Sequence, residues 1–206
     1  MRITNAAKIA TGQRILEAAG RLFQIAGWES TTTREIASAA GVAAGTLFNY
    51  FPSKEAIAAA LIGGALEQAE QEFAARQREE TSLEEDLFTF IWTGLKRLRE
   101  YRNFLAPVVE TIFSPLAQFS PERPGDAMRV RHLEILEQLV MEHGGNGPLQ
   151  AVTLQLYWTL YLGVLAYWAA DQSPKQEDTL ALLDQSLQLF TASLQRGGNH
   201  DQRKPE

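Results

Sequence analysis

The stretch TTTREIASAAGVAAGTLFNYFPSK, residues 31–54, decides the fold. Thr32 is suited to an N-cap, and Glu35, three residues on, is placed to reach back to the Thr32 N–H, the reciprocal capping box that opens a helix. Ile36, Ala37 and Ala40 then form one apolar face at helical spacing. Gly41 ends that helix, because glycine readily enters the left-handed region that a C′ position commonly requires. Val42 is an apolar plug in the turn. A second helix is expected over 43–50, with Leu47 and Phe51 four apart and directed inward. Pro52 stops it, and Ser53 can cap the next one. Two short helices joined by a tight turn containing glycine read as a helix-turn-helix, over about 32–51, whose second helix enters the major groove of duplex DNA.

The side chains left over on that second helix suit the task. Thr46 and Asn49 can hydrogen-bond bases or phosphates, Phe48 can pack on a sugar or a thymine methyl, and Tyr50 can reach a phosphate. Ala44 and Gly45 are small enough to let backbone approach the duplex. Thr32, Thr33 and Arg34, where the preceding helix starts, and Lys54, where the following one starts, complete the expected DNA-facing set. A cation in the first turn of a helix opposes its dipole at about 0.3–1 kcal/mol, a sign that a nearby phosphate would reverse; Glu55 offers a local alternative.

Residues 31–57 resemble the DNA-binding signature of the tetracycline-repressor (TetR) family: Thr32, Ile36, Ala37, Ala40, Gly41, Val42, Gly45, Thr46, Tyr50, Phe51, Lys54 and Glu55 fall in step. Residues 11–60 resemble the family's three-helix module with the start of its fourth helix. Three positions depart. Ala43 stands where the family often has Ser or Thr, Ala44 where it often has a polar or basic residue, and Phe48 where it often has Tyr. The first change removes an N-cap and the last removes a hydroxyl that typically meets a phosphate, so base readout leans on Thr46, Asn49 and backbone groups.

The formal charge of −6 at first argues against nucleic acid. Its distribution reverses the argument. Residues 1–54 carry six Lys/Arg and three Glu, a balance of +3, so the remainder carries −9. A basic head on an acidic body fits a DNA reader, since only the docking surface has to neutralise phosphates. The chain has 206 residues with 45% apolar and 21% charged content, a soluble globular composition. There is no run of about 18 apolar residues to cross a membrane, and the first residues lack the apolar core of a secretory signal. Absence of cysteine excludes disulfides and thiol chemistry and suits a reducing cytoplasm. No HExxH, phosphate loop or paired His/Asp/Glu constellation is present, so no catalysis, metal or cofactor is expected.

The expected fold is all-α with about nine helices. Residues 1–10 are expected to be loose and the first helix to begin at Thr11 or Gly12, with Ile15, Ala19, Leu22, Phe23 and Ala26 inward and Gly27 as its stop. The DNA-binding domain is assigned to 1–54. A ligand-binding and dimerisation domain is assigned to 55–206, with the fourth helix (53–78) as connector and 197–206 a disordered tail. On the connector, Ile57, Leu61, Ala65, Leu66, Ala69 and Phe73 face in, Glu67, Glu70, Gln71 and Glu72 face water, and Gly63-Gly64 is read as a close-packing point rather than a hinge. Ser82 and Glu85 form a second capping box.

The eighth helix (149–170) is apolar nearly all round. Its small stripe, Thr159, Gly163, Ala166 and Ala170, lets another helix backbone come close, and with Leu182 and Leu189 of the ninth it is the expected homodimer interface. Trp92, Phe104, Phe113, Trp158, Tyr161 and Trp168 are offered as walls of a ligand pocket, with Glu110, His132 and Tyr157 as its polar points. The resemblance implies a dimer that reads a palindromic operator and is released from it by a small apolar or amphipathic effector, and the cysteine-free composition places it in the cytoplasm by expectation. The alternative is a helical small-molecule-binding or adaptor protein with a weakened DNA-binding head.

Overall fold

The computed structural model describes residues 4–76, 80–112 and 124–200, the last five and 111, 112 and 124 by backbone alone. Among the described residues there are nine α-helices, two short 3-10 turns and no strand. The helices are α1 (Asn5–Ala26), α2 (Thr33–Ala39), α3 (Ala44–Tyr50), α4 (Lys54–Ala74), α5 (Leu83–Arg97), α6 (Arg102–Ile112), α7 (Pro124–Glu142), α8 (Ala151–Ala170) and α9 (Glu177–His200). None is long and apolar enough to cross a membrane. Two compact units divide them: one runs to Glu67 and resumes over Leu98–Met128, the other holds Gln68–Arg97 and the chain from Arg129 on.

In the first unit each helix end has a local cause. Thr4 caps α1, accepting the Ala7 N–H, so this helix begins earlier than expected from the apolar stripe. Gly27 stops it at φ 83°. The Thr32–Glu35 capping box starts α2 and Gly41, at φ 67°, turns the chain into α3. Pro52 breaks the path, and Ser53 Oγ accepts the Ala56 N–H at 3.2 Å to start α4. The core beneath is Ile15, Ala19, Phe23, Ile36, Leu47 and Ile57, all fully buried. The Phe23 ring packs on Trp28 and on Phe104 of α6, with centroids 5.1 Å away in both cases.

Along α4 the glycine pair leaves the helix unbroken. A Cβ at Gly63 would lie 3.7 Å from Met128 Sδ, ordinary contact, while Gly64 has open space. Glu70 and Glu72, expected to face water, are ion-paired instead: Glu70 with Arg131 at 3.0 Å, Glu72 with Arg76 and Arg97 at 2.9 Å each. Their partners lie 61 and 25 residues away for Arg131 and Arg97, which the local sequence could not announce.

In the second unit α5 opens on the Ser82–Glu85 box. Leu87, Ile91, Leu95, Leu136, Leu139, Leu183 and Phe190 pack its interior. Asp171 closes the α8–α9 turn, accepting the Ser173 N–H at 2.7 Å and the Thr179 N–H at 3.1 Å. The Thr179 hydroxyl, which also donates to Asp171 Oδ2, is the foremost of the bonds that hold that carboxyl well below the usual carboxylate range. The expected tail is helical as far as His200, because α9 continues through Gly197-Gly198; residues 201–206 lie outside the described residues.

Candidate DNA interface and ligand site

The reading surface is built on caps and one buried anchor. Leu47 is fully buried and pins α3 to the module, which leaves Ala44, Gly45, Phe48 and Asn49 exposed on the outer side and Thr46 half-buried. Ala43 opens α3 without a side-chain cap, as the missing hydroxyl required. A Cβ at Gly45 would meet nothing within 4 Å, so the space over the start of the helix is open. Tyr50 is half-buried, and its ring lies 3.6 Å from where a Gly12 side chain would begin, so α1 supports it from behind.

At the start of α2, Thr32 and Arg34 are exposed and Thr33 half-buried. Thr32 Oγ1 accepts the Glu35 N–H at 3.3 Å, and Glu35 Oε2 accepts the Thr32 N–H and hydroxyl at 2.8 Å each. The Thr32 hydroxyl first and its N–H second hold the Glu35 carboxyl below its ordinary range. Lys54 is used differently from the rest of the expected set. Its Nζ donates to Trp28 O at 2.7 Å and Thr31 O at 3.1 Å and lies 4.4 Å over the Trp28 ring.

The expected ligand residues separate. His132, Tyr157, Trp158 and Tyr161 come together: His132 Nε2 is 2.9 Å from Tyr157 Oη, and its ring centroid is 4.2 Å from that of Tyr161 and 5.8 Å from that of Trp158. Phe90, which sequence periodicity had not singled out, packs on His132 at 4.9 Å. Burial lowers the His132 pKa to about 3, so the imidazole is neutral, and burial pushes the Tyr157 and Tyr161 phenols up. Trp168 is buried two turns further along the same face of α8. Trp92 is half-buried on α5. Phe104 belongs to the first unit, against Phe23 and Tyr101, and Glu110 on α6 is exposed rather than a buried polar point. Phe113 lies outside the described residues.

The apolar gap beside Tyr157 and Tyr161, closed by Leu183, Leu187 and Phe190, measures about 10 Å³. That holds one water at most. A larger groove of about 420 Å³ lies elsewhere in the unit, between Ser82, Glu84, His143 and Thr191. His143, in its lining, has Nε2 2.9 Å from Asp86 Oδ2. No group of three or more His, Asp or Glu among the described residues is placed to hold a metal ion.

The stripe Thr159, Gly163, Ala166 and Ala170 is exposed along α8, Leu189 of α9 is 67% exposed and Leu182 is half-buried. Val152, Leu156 and Tyr167 add exposed apolar surface to α8.

Comparison with known proteins bears on both units. The family model described as bacterial regulatory proteins, tetR family, matches residues 15–61, and the one described as tetracyclin repressor-like, C-terminal domain, matches residues 86–200. An uncharacterized HTH-type transcriptional regulator of Bacillus subtilis, YvkB, is 40% identical over 67 residues, a match spanning 29% of this chain and 35% of that protein. Among solved structures, Thermus thermophilus FadR, a TetR family transcriptional repressor in complex with lauroyl-CoA, is similar at TM-score 0.63 and 25% identity over 87% of this chain and 93% of its own. A TetR transcriptional regulator from Nitrosomonas europaea is similar at TM-score 0.65 and 20% identity over 87% and 97%.

Proposed function

The chain belongs to the tetR family of bacterial regulatory proteins, a family of transcription regulators, and from that premise we propose that it is a homodimeric repressor, held in the cytoplasm and released from a palindromic operator by a small ligand. The observation that carries the DNA half of this reading is the α3 surface. Phe48 and Asn49 stand exposed on a helix whose Leu47 is fixed in the core, so their directions are set before any duplex arrives. In this reading residues 1–54 form the DNA-binding domain. Asn49 and Thr46 read base edges, Phe48 packs on sugar or thymine methyl, and Thr32, Thr33, Arg34 and Tyr50 position the module on phosphates.

The second unit receives the effector and makes the dimer. Small residues and leucines exposed on α8 and α9 support a four-helix interface between two copies, which spaces two reading heads for half-sites about 34–36 Å apart. For the effector, the His132–Tyr157–Tyr161 cluster offers neutral hydrogen-bonding groups within aromatic walls. Such a lining favours a largely apolar body with a polar end. The gap of about 10 Å³ is too small for any such molecule, so its entry must part α5, α8 and α9. A ligand that binds the parted state better shifts the population away from the operator-binding one, and a full switch from 99:1 to 1:99 needs about 5.5 kcal/mol of differential affinity. The lauroyl-CoA bound by the Thermus protein makes medium-chain acyl-CoA the first effector to try.

Fluorescence anisotropy against DNA from upstream of its own gene tests the reading. Affinity should fall steeply with salt as counterions are released, and Asn49→Ala should relax preference at one position at about 1–3 kcal/mol. Absence of binding at low ionic strength removes the DNA assignment. A ligand that tightens operator binding replaces release by corepression.

A further inference from the structure

We infer that Arg129 holds an anionic head of the effector, so that the effector is an amphipathic anion and not a neutral apolar molecule. The inference rests on the reading of the second unit as the effector domain and names the chemical class that this domain takes. Arg76, Arg97 and Arg131 of the unit each meet a carboxylate, the first two on Glu72 at 2.9 Å and the third on Glu70 at 3.0 Å. Arg129 of α7 is half-buried and, among the described residues, has no ion pair. Its Nη2 donates to a neutral acceptor, Gln155 Oε1 of α8, at 2.8 Å, and its Cζ lies 5.6 Å over the Trp158 ring. A guanidinium is always charged and carries five N–H donors in a planar fork. One amide oxygen and one ring face leave most of those donors for a carboxylate or phosphate, which such a fork meets with two parallel bonds.

The position gives that cation its use. Arg129 and His132 are three residues apart on α7, which places them on one face and about 4.5 Å apart along the axis. His132 packs on Tyr161 and Trp158, and Arg129 covers the same Trp158 ring. The guanidinium thus stands at the edge of the aromatic cluster, one helical turn from its centre. An apolar body against Trp158 and Tyr161 would carry its head to the level of Arg129. His132, neutral in its buried place, supplies no charge for such a head. Residues 55–206 carry a balance of −9, whose field repels anions at large. A negatively charged molecule admitted to this unit therefore requires a specific cation, and Arg129 is placed to be one. The competing use for it is a carboxylate on a second copy, because Gln155 is exposed one turn before Thr159 of the small stripe.

Three probes with the same twelve-carbon chain separate these uses: laurate, lauroyl-CoA and the neutral dodecanol. Each is titrated into full-length protein below its micelle concentration and followed by calorimetry. The wild type should bind at least one of the anions about tenfold or more tighter than dodecanol, the gain of hydrogen bonds to a charged group. Preference for laurate assigns the head as a carboxylate; preference confined to lauroyl-CoA assigns it as phosphate. Arg129→Gln should weaken the preferred anion by about tenfold to a hundredfold. Dodecanol affinity should stay as in the wild type, which also reports that the variant is folded. Arg129→Lys keeps a charge without the fork and should lose less. A measurement on the wild type stands apart from any variant: phenylglyoxal labelling read by mass spectrometry. The preferred anion should protect Arg129, dodecanol should not, and the exposed Arg34 of the head should label throughout.

Equal affinity of all three probes, or an equal loss of all three in Arg129→Gln, overturns the inference and leaves the effector reading in place. So does an Arg129→Gln protein that turns monomeric by light scattering with unaltered probe affinities, which would give Arg129 to the contact between copies. Binding of none of the three counts against the aromatic cluster as a site for an amphiphile, and the role of Arg129 falls with it.

Discussion

The α2–α3 pair and the α8–α9 pair are both two helices joined by a short turn, yet they treat their outer faces in opposite ways. In the first pair the apolar residues Ile36, Ala37 and Leu47 are buried and what remains outside is small or polar, Phe48 excepted. In the second pair the inner face is filled by Tyr157, Trp158, Tyr161 and Trp168, and the outer face still carries Val152 at 79% exposure and Leu189 at 67%. A large side chain left in water forgoes about 1.5–3 kcal/mol of burial. The first pair is thus a finished surface suited to a polar, reversible partner. The second is an unfinished face, apolar surface left open in the single chain, which the dimer proposed above would cover.

The largest effect should come from spoiling that unfinished face. Gly163 is exposed, and a Cβ there meets nothing within 4 Å in the single chain. Gly163→Leu should therefore leave the monomer intact, and even favour α8 by about 0.8–1 kcal/mol through helix propensity. It should nevertheless block close approach of a second helix. Combined with Leu189→Glu, it should give a monomer by light scattering with unchanged helical circular dichroism. Operator affinity should drop about a hundredfold or more as the two heads lose their linkage. A variant that remains dimeric breaks the contrast between the two pairs.

How far each pair was legible follows the same division. The start and end of α2 were readable because their causes are local: Thr32, Glu35 and Gly41 lie within the segment they organise. The start of α1 is not, because Thr4 caps a first turn with nothing to bury, Ile9 being 56% exposed, and the inward apolar stripe begins only at Ile15. The small stripe of α8 was visible as periodicity, whereas the place of Lys54 was not: its acceptors are carbonyls 26 and 23 residues back. The His132–Tyr157 contact likewise spans 25 residues, and burial, not sequence, makes that histidine neutral.

That neutrality gives the two units different acid sensitivities. His132 titrates near 3 when folded, against about 6.5 in an unfolded chain. Between those values the unfolded state binds a proton that the folded state refuses, so stability falls as pH drops, at up to about 1.4 kcal/mol per unit. By pH 5 the second unit should have lost about 2 kcal/mol. Glu35, whose carboxyl is held below its ordinary range by Thr32, acts in the head with its own window. Its contribution is present above the ordinary carboxylate pKa and fades only as pH falls below it. Thermal melts from pH 7 to 5, followed by Trp fluorescence, should therefore show an early decline that His132→Gln abolishes, since the amide can still meet Tyr157 but takes up no proton. An unaltered pH slope in that variant would mean that other groups govern it.

The smallest effect makes the sharpest comparison, because the chain carries the same cap twice. In the head, Glu35 Oε2 accepts the Thr32 N–H and hydroxyl at 2.8 Å each, and Thr32 Oγ1 accepts the Glu35 N–H at 3.3 Å. In the second unit Glu85 Oε2 accepts the Ser82 N–H and hydroxyl at 2.8 and 2.9 Å, and Ser82 Oγ accepts the Glu85 N–H at 3.2 Å. Truncating either cap should cost about 1 kcal/mol, since both satisfy the same orphan amides. The consequences for binding should diverge. Thr32→Ala frees the first turn of α2 and removes an exposed hydroxyl from the surface assigned to phosphate, so operator affinity should fall a few-fold even at temperatures where the protein is fully folded. Ser82→Ala loosens the start of α5 at equal local cost and should leave operator affinity unchanged. Equal effects of the two substitutions on binding would mean that Thr32 acts through general stability, and the phosphate role given to the start of α2 would then have to be withdrawn.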